Sequence, residues 1–97
     1  MKIYTQEELD EYLKGRPGHD VDLSGCGIAE LDLVGADLAG ANLAGAFFTD
    51  ANLCMAVLAG AKLTGAVLAE ANLIGADLTG ADLYKTNLTM LTSRGRI

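Results

Sequence analysis

The stretch ADLAGANLAGAFFTDANL, residues 36–53, decides the fold of this chain. It holds three complete five-residue units, ADLAG, ANLAG and AFFTD, and the start of a fourth. An apolar residue stands third in every unit, and the two adjacent phenylalanines do not disturb the spacing. A period of five matches neither the 3.6-residue period of an amphipathic helix nor the two-residue alternation of a strand. The chain must therefore turn once per unit if every central residue is to face one interior.

The same period extends from this stretch in both directions over residues 21–90, as 14 consecutive units without an insertion. Their central residues are all apolar: Leu23, Ile28, Leu33, Leu38, Leu43, Phe48, Leu53, Leu58, Leu63, Leu68, Leu73, Leu78, Leu83 and Leu88. Short extended pieces joined by tight turns would place all of them inside. Such units stack into a solenoid in which each repeat contacts only its neighbours.

The units resemble the pentapeptide-repeat family, whose pattern is A-(D/N)-L-x-x, and the resemblance covers residues 21–90. It implies an all-β solenoid, namely a right-handed quadrilateral β-helix with four pentapeptides in each coil. The 14 units then make about three and a half coils. Residues 20 apart in the sequence would lie directly above one another, at a strand spacing of about 4.8 Å.

Stacking at intervals of 20 predicts the orientation of both phenylalanines in the opening stretch. Phe48 is a central residue and should be buried. Phe47 should point outward on the second face of the coil, beside Val67. The same spacing places Cys26 inward, as a small core residue, and Cys54 outward on the third face.

The last residue of each unit forms a corner, and glycine occupies eight of the 14 corners. At the end of the second face, acids replace it at Glu30, Asp50 and Glu70. Because glycine favours turns with positive φ, we expect this corner to use a different turn type. These acids should stack as a ladder, and with Phe47 and Val67 they form the candidate partner surface.

Two surface features, the ladder of acids and an apolar stripe on the third face, each allow two interpretations. The ladder is either a solvated edge or an acidic strip for a basic partner or a cation. Three flexible carboxylates without fixed geometry would make a weak metal site, so no metal is expected. On the third face, an apolar stripe is either a set of ordinary surface hydrophobes or a partner or dimer surface. The stripe consists of Val34, Cys54, Met55 and Ile74.

The chain divides into an N-terminal capping helix and linker (1–20), the repeats (21–90) and a C-terminal tail (91–97). Thr5 and Glu8 have the spacing of a capping box at the start of a helix. That helix should cover the open edge of the first coil. At the other end, either the tail folds across the open last coil or two molecules meet there. The family resemblance suggests the second, a homodimer around Leu88, Met90 and Leu91, and we favour it.

The composition narrows the class of function. The net charge of −6 disfavours direct binding to nucleic acid, whose phosphates require basic residues. No apolar run is long enough to span a membrane. Two cysteines are too few for a disulfide framework, so we expect free thiols and a cytoplasmic location. The sequence holds no nucleophile–base pair, metal-ligand spacing or phosphate loop, so we expect neither an enzyme nor a cofactor.

Two hypotheses for the function remain. The first is a rigid scaffold or protein-interaction module with an unknown protein partner. The family resemblance implies the second, a DNA mimic that binds DNA gyrase or topoisomerase IV and confers resistance to quinolones or toxins. Residues 21–90 hold eight acids and two bases, a net charge of −6. Duplex DNA carries about ten charges over the same ~17 Å, so the scaffold is favoured.

Overall fold

The computed structural model describes residues 1–89 and Thr92. Its helices are α1, Gln6–Leu13, and a single 3-10 turn, Gly18–Asp20. From residue 21 onward, the described chain consists of turns that alternate with single residues in isolated parallel bridges. The expected extended pieces are therefore reduced to one bridged residue in each unit.

The bridges show that the chain returns above itself every 20 residues, as the five-residue period predicts. Each bridge joins the second residues of two units that lie four units apart. The repeat bridges are Asp22–Asn42, Gly27–Phe47, Asp32–Asn52, Asp37–Val57, Asn42–Lys62, Phe47–Val67, Asn52–Asn72, Val57–Asp77, Lys62–Asp82, Val67–Asn87 and Asn72–Thr92. Four turns separate the two ends of each bridge, so each coil has four faces and the coils stack in parallel.

Three of the five peptide N–H groups in each unit hold the coils together, as the unit ANLAG shows. The N–H of Asn42 donates to the carbonyl of Val21 in the preceding coil (3.0 Å). The N–H of Leu43 donates to Lys62 in the following coil (2.8 Å), and the N–H of Gly45 also reaches that coil (2.9 Å). The second residue thus pairs towards the N-terminal end, and its neighbour pairs towards the C-terminal end.

The other two N–H groups are bonded locally and explain the Asp or Asn of the motif. The N–H of Ala41 closes a turn on the carbonyl of Leu38 (3.0 Å). The N–H of Ala44 has no carbonyl within reach and donates to the side-chain Oδ1 of Asn42 (3.2 Å). Eight further units make this bond between a second-place Asp or Asn and the fourth residue. The short polar side chain therefore completes the hydrogen bonding of its own turn.

The interior is filled by the central residues and by the alanines that begin most units. Phe48 is fully buried, which confirms the alignment predicted for the opening stretch. Cys26 and Leu31 take the place of alanine in the first coil and pack against the core while half-buried. The largest fully buried side chains are Leu9, Leu23, Ile28, Leu38, Leu43, Phe48, Leu53, Leu58, Leu63, Leu68, Leu73 and Leu78.

The expectation of a different turn at the acidic corner is wrong. The φ angles of Glu30, Asp50 and Glu70 are 65°, 59° and 62°, close to the 68° of Gly60 at the corner that ends the fourth face. A positive φ at the third turn residue is the mark of a type II turn. Every described corner of the repeats has a positive φ, so the four corners bend the coil alike. The three acids therefore adopt the left-handed conformation in spite of their Cβ atoms.

Helix α1 begins at the predicted capping box. The Thr5 hydroxyl accepts the N–H of Glu8 (3.2 Å), and the Glu8 carboxylate accepts the N–H of Thr5 (3.0 Å). This backbone bond and the ammonium of Lys2 lower the pKa of the Glu8 carboxyl. On its inner side α1 buries Leu9 completely, so the helix is anchored to the core.

The segment before α1 adds one more bridged level to the second face, which the repeat pattern did not predict. We call each such level of a face a rung. Ile3 forms a parallel bridge with Gly27 on the second face. The N–H of Gly27 donates to Lys2 (2.8 Å), and the N–H of Tyr4 donates to the carbonyl of Gly27 (3.0 Å). Residues 1–4 therefore cover the edge of the first coil on this face.

Side chains of α1 cover two other edges of the first coil. The Gln6 amide acts as a peptide group, because it donates to the carbonyl of Asp32 (2.8 Å) and accepts its N–H (2.7 Å). The Tyr12 hydroxyl likewise accepts the N–H of Asp22 (2.9 Å) and donates to its carbonyl (3.2 Å).

The 3-10 turn packs against the fourth edge. The N–H of Gly18 donates to the Asp37 carboxylate (3.3 Å). A Cβ at residue 18 would collide with the backbone of Ala39, so the close approach requires glycine. The N-terminal residues thus meet all four faces of the first coil.

Replacement of Phe48 by Ala should leave a cavity in the middle coil, because the side chain is fully buried. We expect the free energy of unfolding to fall by about 3–5 kcal/mol in urea titrations. Phe47→Ala, one residue away on the surface, is the matched control and should cost far less. Equal losses in the two variants would contradict the assignment of inward and outward positions.

Replacement of Gln6 by Ala should leave both backbone groups of Asp32 without their partner. We expect a loss of about 1–3 kcal/mol in the free energy of unfolding, measured by urea titration. Glu7→Ala is the control, since Glu7 is exposed on the same turn of α1 and should change stability by about 0.5 kcal/mol at most. No difference between the variants would show that the amide does not hold this edge.

Candidate partner surface

The second face carries a continuous apolar strip along the stack. Phe47 and Val67 are bridged in adjacent coils, and Ile3 extends the column through Gly27. Phe47 is 39% exposed, Ile3 is 71% exposed, and Val67 is half-buried. The structure thus brings together the two apolar residues that sequence spacing placed on this face.

The N-terminal residues fill the gap that Gly27 leaves in this column. A Cβ at residue 27 would lie 3.2 Å from Cγ1 of Ile3 and 3.4 Å from Sδ of Met1. Both side chains therefore extend over the glycine and remain largely exposed. We call Met1, Ile3, Phe47 and Val67 the second-face strip. Sequence analysis missed Met1 and Ile3, because they lie outside the repeat and only tertiary pairing brings them here.

The carboxylates of Glu30, Asp50 and Glu70 border the strip at the following corner, and we call them the acidic corner. All three residues are exposed. Within the described part of the chain, no cation forms an ion pair with any of them. The two lysines of the repeats, Lys62 and Lys85, belong to units of the first face. The first face holds Asp22 and Asp82 as well as Lys62, whereas the acidic corner beside the strip carries negative charge without an ion-pair partner among the described residues.

The backbone of the second face is already paired within the stack. The N–H of Phe47 donates to Cys26 in the coil above (2.9 Å), and the N–H of Phe48 donates to Val67 in the coil below (2.7 Å). The carbonyl of Ala46 accepts the N–H of Val67 (2.9 Å). A partner at these rungs must therefore be recognised by side chains rather than by strand addition.

The third-face stripe is the second exposed apolar feature. Val34 is 52% exposed and Met55 is 62% exposed, whereas Cys54 and Ile74 are partly buried. The Sγ of Cys54 lies 3.5 Å from Oδ1 of Asn72. The stripe shares its face with the charged Asp32 and the neutral Asn52 and Asn72, and the acidic corner lies between this face and the second. Both interpretations of this stripe stay open.

A groove of about 340 Å³ separates the end of α1 from the third and fourth faces. Its apolar floor includes Leu13, Leu33 and Val34. Two acids that line it are engaged in turns, since Asp32 accepts the N–H of Val34 and Asp37 accepts that of Ala39. We therefore interpret the groove mainly as the boundary between the N-terminal helix and the first coil.

The structure also places the two cysteines and one residue of the predicted dimer end. Both cysteines are free, and burial raises the pKa of the Cys26 thiol. Of the predicted dimer end, Leu88 is half-buried, while Met90 and Leu91 lie outside the described residues. Among residues 1–89 and Thr92, no group of three His, Cys, Asp or Glu side chains could hold a metal ion. No helix in that part of the chain is long and apolar enough to cross a membrane.

Stacked five-residue units and an N-terminal cap define a repeat protein of the solenoid class. The family model for pentapeptide repeats matches residues 19–54 and 55–89 with eight copies. The chain belongs to the pentapeptide-repeat family, as the A-(D/N)-L-x-x pattern indicated. No match was found among curated proteins.

Solved structures similar to this chain are also pentapeptide repeat proteins. The crystal structure of alr5209 from Nostoc PCC 7120 is 32% identical, covers 88% of this chain and 75% of its own, and has a TM-score of 0.72. AT2G44920 from the Arabidopsis thaliana thylakoid lumen is 34% identical, with coverages of 91% and 55% and a TM-score of 0.57.

A third structure, QnrB1, is a plasmid-mediated fluoroquinolone resistance protein. It is 24% identical to this chain, covers 77% of it and 48% of its own length, and has a TM-score of 0.57. This similarity shows the fold alone. The chain spans about half the length of both AT2G44920 and QnrB1.

The strained acidic corner leads to a prediction about stability. Glu70→Gly should relieve the left-handed conformation at φ 62° and raise the free energy of unfolding by about 0.5–1 kcal/mol. Glu70→Ala removes the same charge but keeps the Cβ, so it separates backbone strain from charge repulsion. If urea titration gives the two variants the same stability, strain at this corner is negligible.

Proposed function

We propose that this chain is a non-catalytic, rigid scaffold that binds a protein partner through its second face. Its coils would form the right-handed quadrilateral β-helix of about three and a half turns that is typical of pentapeptide repeat proteins. Proteins of this family are in general structural or interaction modules. We also propose a cytoplasmic location, which the free thiols of Cys26 and Cys54 support.

The second-face strip carries this proposal. Phe47 exposes 39% of its surface at a place where nine other units carry a short Asp or Asn that completes the local turn. The replacement gives up that side-chain acceptor for Thr49 and presents an aromatic ring to solvent. Exposed aromatic residues near a charged rim are characteristic of interaction surfaces.

A photo-crosslinking experiment tests the scaffold function. p-Benzoylphenylalanine placed at position 47 should yield a defined adduct in an extract of the source cells. The same group at position 84 is the matched control, because Tyr84 is an exposed aromatic residue on the first face. Equal labelling from both positions, or no adduct from either, would contradict a partner surface on the second face.

A DNA mimic that binds DNA gyrase or topoisomerase IV is the second candidate function. The acidic corner supports it, because carboxylates about 4.8 Å apart form a line of negative charge. Residues 21–90 carry a net charge of −6 over ~17 Å, below the roughly ten charges of duplex DNA, so this candidate ranks second.

A gyrase supercoiling assay tests the mimic directly. Micromolar protein should inhibit the reaction or protect the enzyme from a quinolone. Joint replacement of Glu30, Asp50 and Glu70 by Lys should abolish the effect, since the negative line is reversed. Joint replacement of Asp32, Asp77 and Asp82 by Lys, the residue that Lys62 provides at the same second place, changes the net charge by the same amount away from this corner and is the control. Absence of any effect across the concentration range would reject this function.

We further propose a homodimer through the C-terminal end of the stack, around Leu88, Met90 and Leu91. The half-buried Leu88 supports it, since a further layer would complete the burial of this central residue. Sedimentation velocity that shows a monomer at micromolar concentration would contradict it.

A further inference from the structure

We propose that the second face binds a basic amphipathic α-helix lying along the axis of the stack. The inference rests on the proposed scaffold function and adds the class of partner. Four properties of the second face support it: its paired backbone, the spacing of its rungs, the one-sided border of carboxylates, and the exposed aromatic residue at its centre.

The paired backbone favours a helix over an extended peptide. On the inner rungs of this face, the N–H groups of Phe47 and Phe48 are bonded within the stack. An extended segment laid across the second-face strip would bring its own peptide groups onto an apolar surface without partners. Unpartnered peptide groups lose free energy when they are desolvated. A helix satisfies these groups internally and can offer an apolar row of side chains.

The spacing of the rungs also fits a helix. Side chains on adjacent rungs are about 4.8 Å apart, so two steps span about 9.6 Å. Measured along the axis of a helix, residues i and i+3 are about 4.5 Å apart, and residues i and i+7 are about 10.5 Å apart. Alternate residues of a strand are about 6.7 Å apart and reach about 13.4 Å after two steps. A row of side chains along a helix therefore stays level with three successive coils of the stack. The side chains of a strand do not, because their spacing is too long.

The border of the strip specifies the charge of the helix. The acidic corner lies on one side, and the corner on the other side consists of Gly25, Gly45, Gly65 and, at its C-terminal end, Lys85. Among the described residues, no lysine, arginine or N-terminal ammonium forms an ion pair with these carboxylates. Lysine or arginine along one flank of the helix would supply the missing charge and steer its approach.

Phe47 is the expected anchor of the interface. Its ring stands in the centre of the strip, between the side chains of the N-terminal rung and Val67. It is exposed enough to contact a partner and is held on a backbone bonded above and below. Aromatic residues held rigidly at the centre of an interface commonly dominate its binding energy.

Peptide display tests the inference. A library of random 18-residue peptides is panned against the immobilised full chain. Enriched peptides should carry apolar residues at i, i+3 or i+4, and i+7, with Lys or Arg along one flank. A proline in the middle of a selected peptide should reduce its affinity at least tenfold, measured by fluorescence anisotropy, because it breaks the helix. Enriched peptides with strand-like alternation or without basic residues would overturn the proposal.

A pair of charge-matched variants tests where the peptides bind. The variant E30Q/D50N/E70Q neutralises the acidic corner and should weaken binding at least tenfold. The control D32N/D77N/D82N removes the same number of charges, and Asn occupies this second place in several other units. It should weaken binding less than threefold. Equal losses in the two variants would show non-specific attraction to net charge and overturn the proposal.

A final variant separates this inference from the scaffold function. Phe47→Ser should abolish peptide binding while thermal melting remains cooperative. If position 47 crosslinks a cellular partner but the selected peptides are not basic helices, the helix inference fails and the scaffold function stands. If neither experiment gives binding at the second face, both fail.

Discussion

The structure depends on the bonding of the five peptide N–H groups in each unit. Three of them join adjacent coils, one closes the turn, and in nine units the last reaches only the side chain two residues earlier, as Ala44 does with Asn42. Buried or crowded backbone donors without acceptors are costly, so this last bond selects Asp or Asn before most central residues. Backbone hydrogen bonding therefore determines the repeat motif as much as packing of the core does.

The same constraint explains which parts of the surface can vary. The inward places hold Leu, Phe, Ile and Ala, apart from Val21 and Cys26 in the first coil and Thr86 in the last, and the described corners take a positive φ at every face. The second and fourth places retain freedom where the local bond is given up. On the second face, Gly27, Phe47 and Val67 all lack the side-chain acceptor, and the corner bears acids in strained conformations. These departures lie together on one face, which supports the proposal of a partner surface there.

The N-terminal residues solve the problem of an open edge with different chemistry on each face. A short backbone segment pairs with Gly27, a side-chain amide pairs with Asp32, and a hydroxyl pairs with Asp22. Open edges of this kind otherwise pair with other chains. The cap also contributes to the candidate surface, because Met1 and Ile3 extend the second-face strip beyond the repeats.

The sequence alone determined the period, the inward place of Phe48 and the outward place of Phe47, because a strict spacing without insertions leaves one way to fill the interior. It also determined the capping box and placed Glu30, Asp50 and Glu70 on one corner. Tertiary structure decided the shape of that corner, since closure of the whole coil imposes a positive φ that local preference argued against. It also decided the pairing of Ile3 with Gly27 and of Gln6 with Asp32. Those contacts follow no repeat and arise only when the finished first coil presents its edge to the helix.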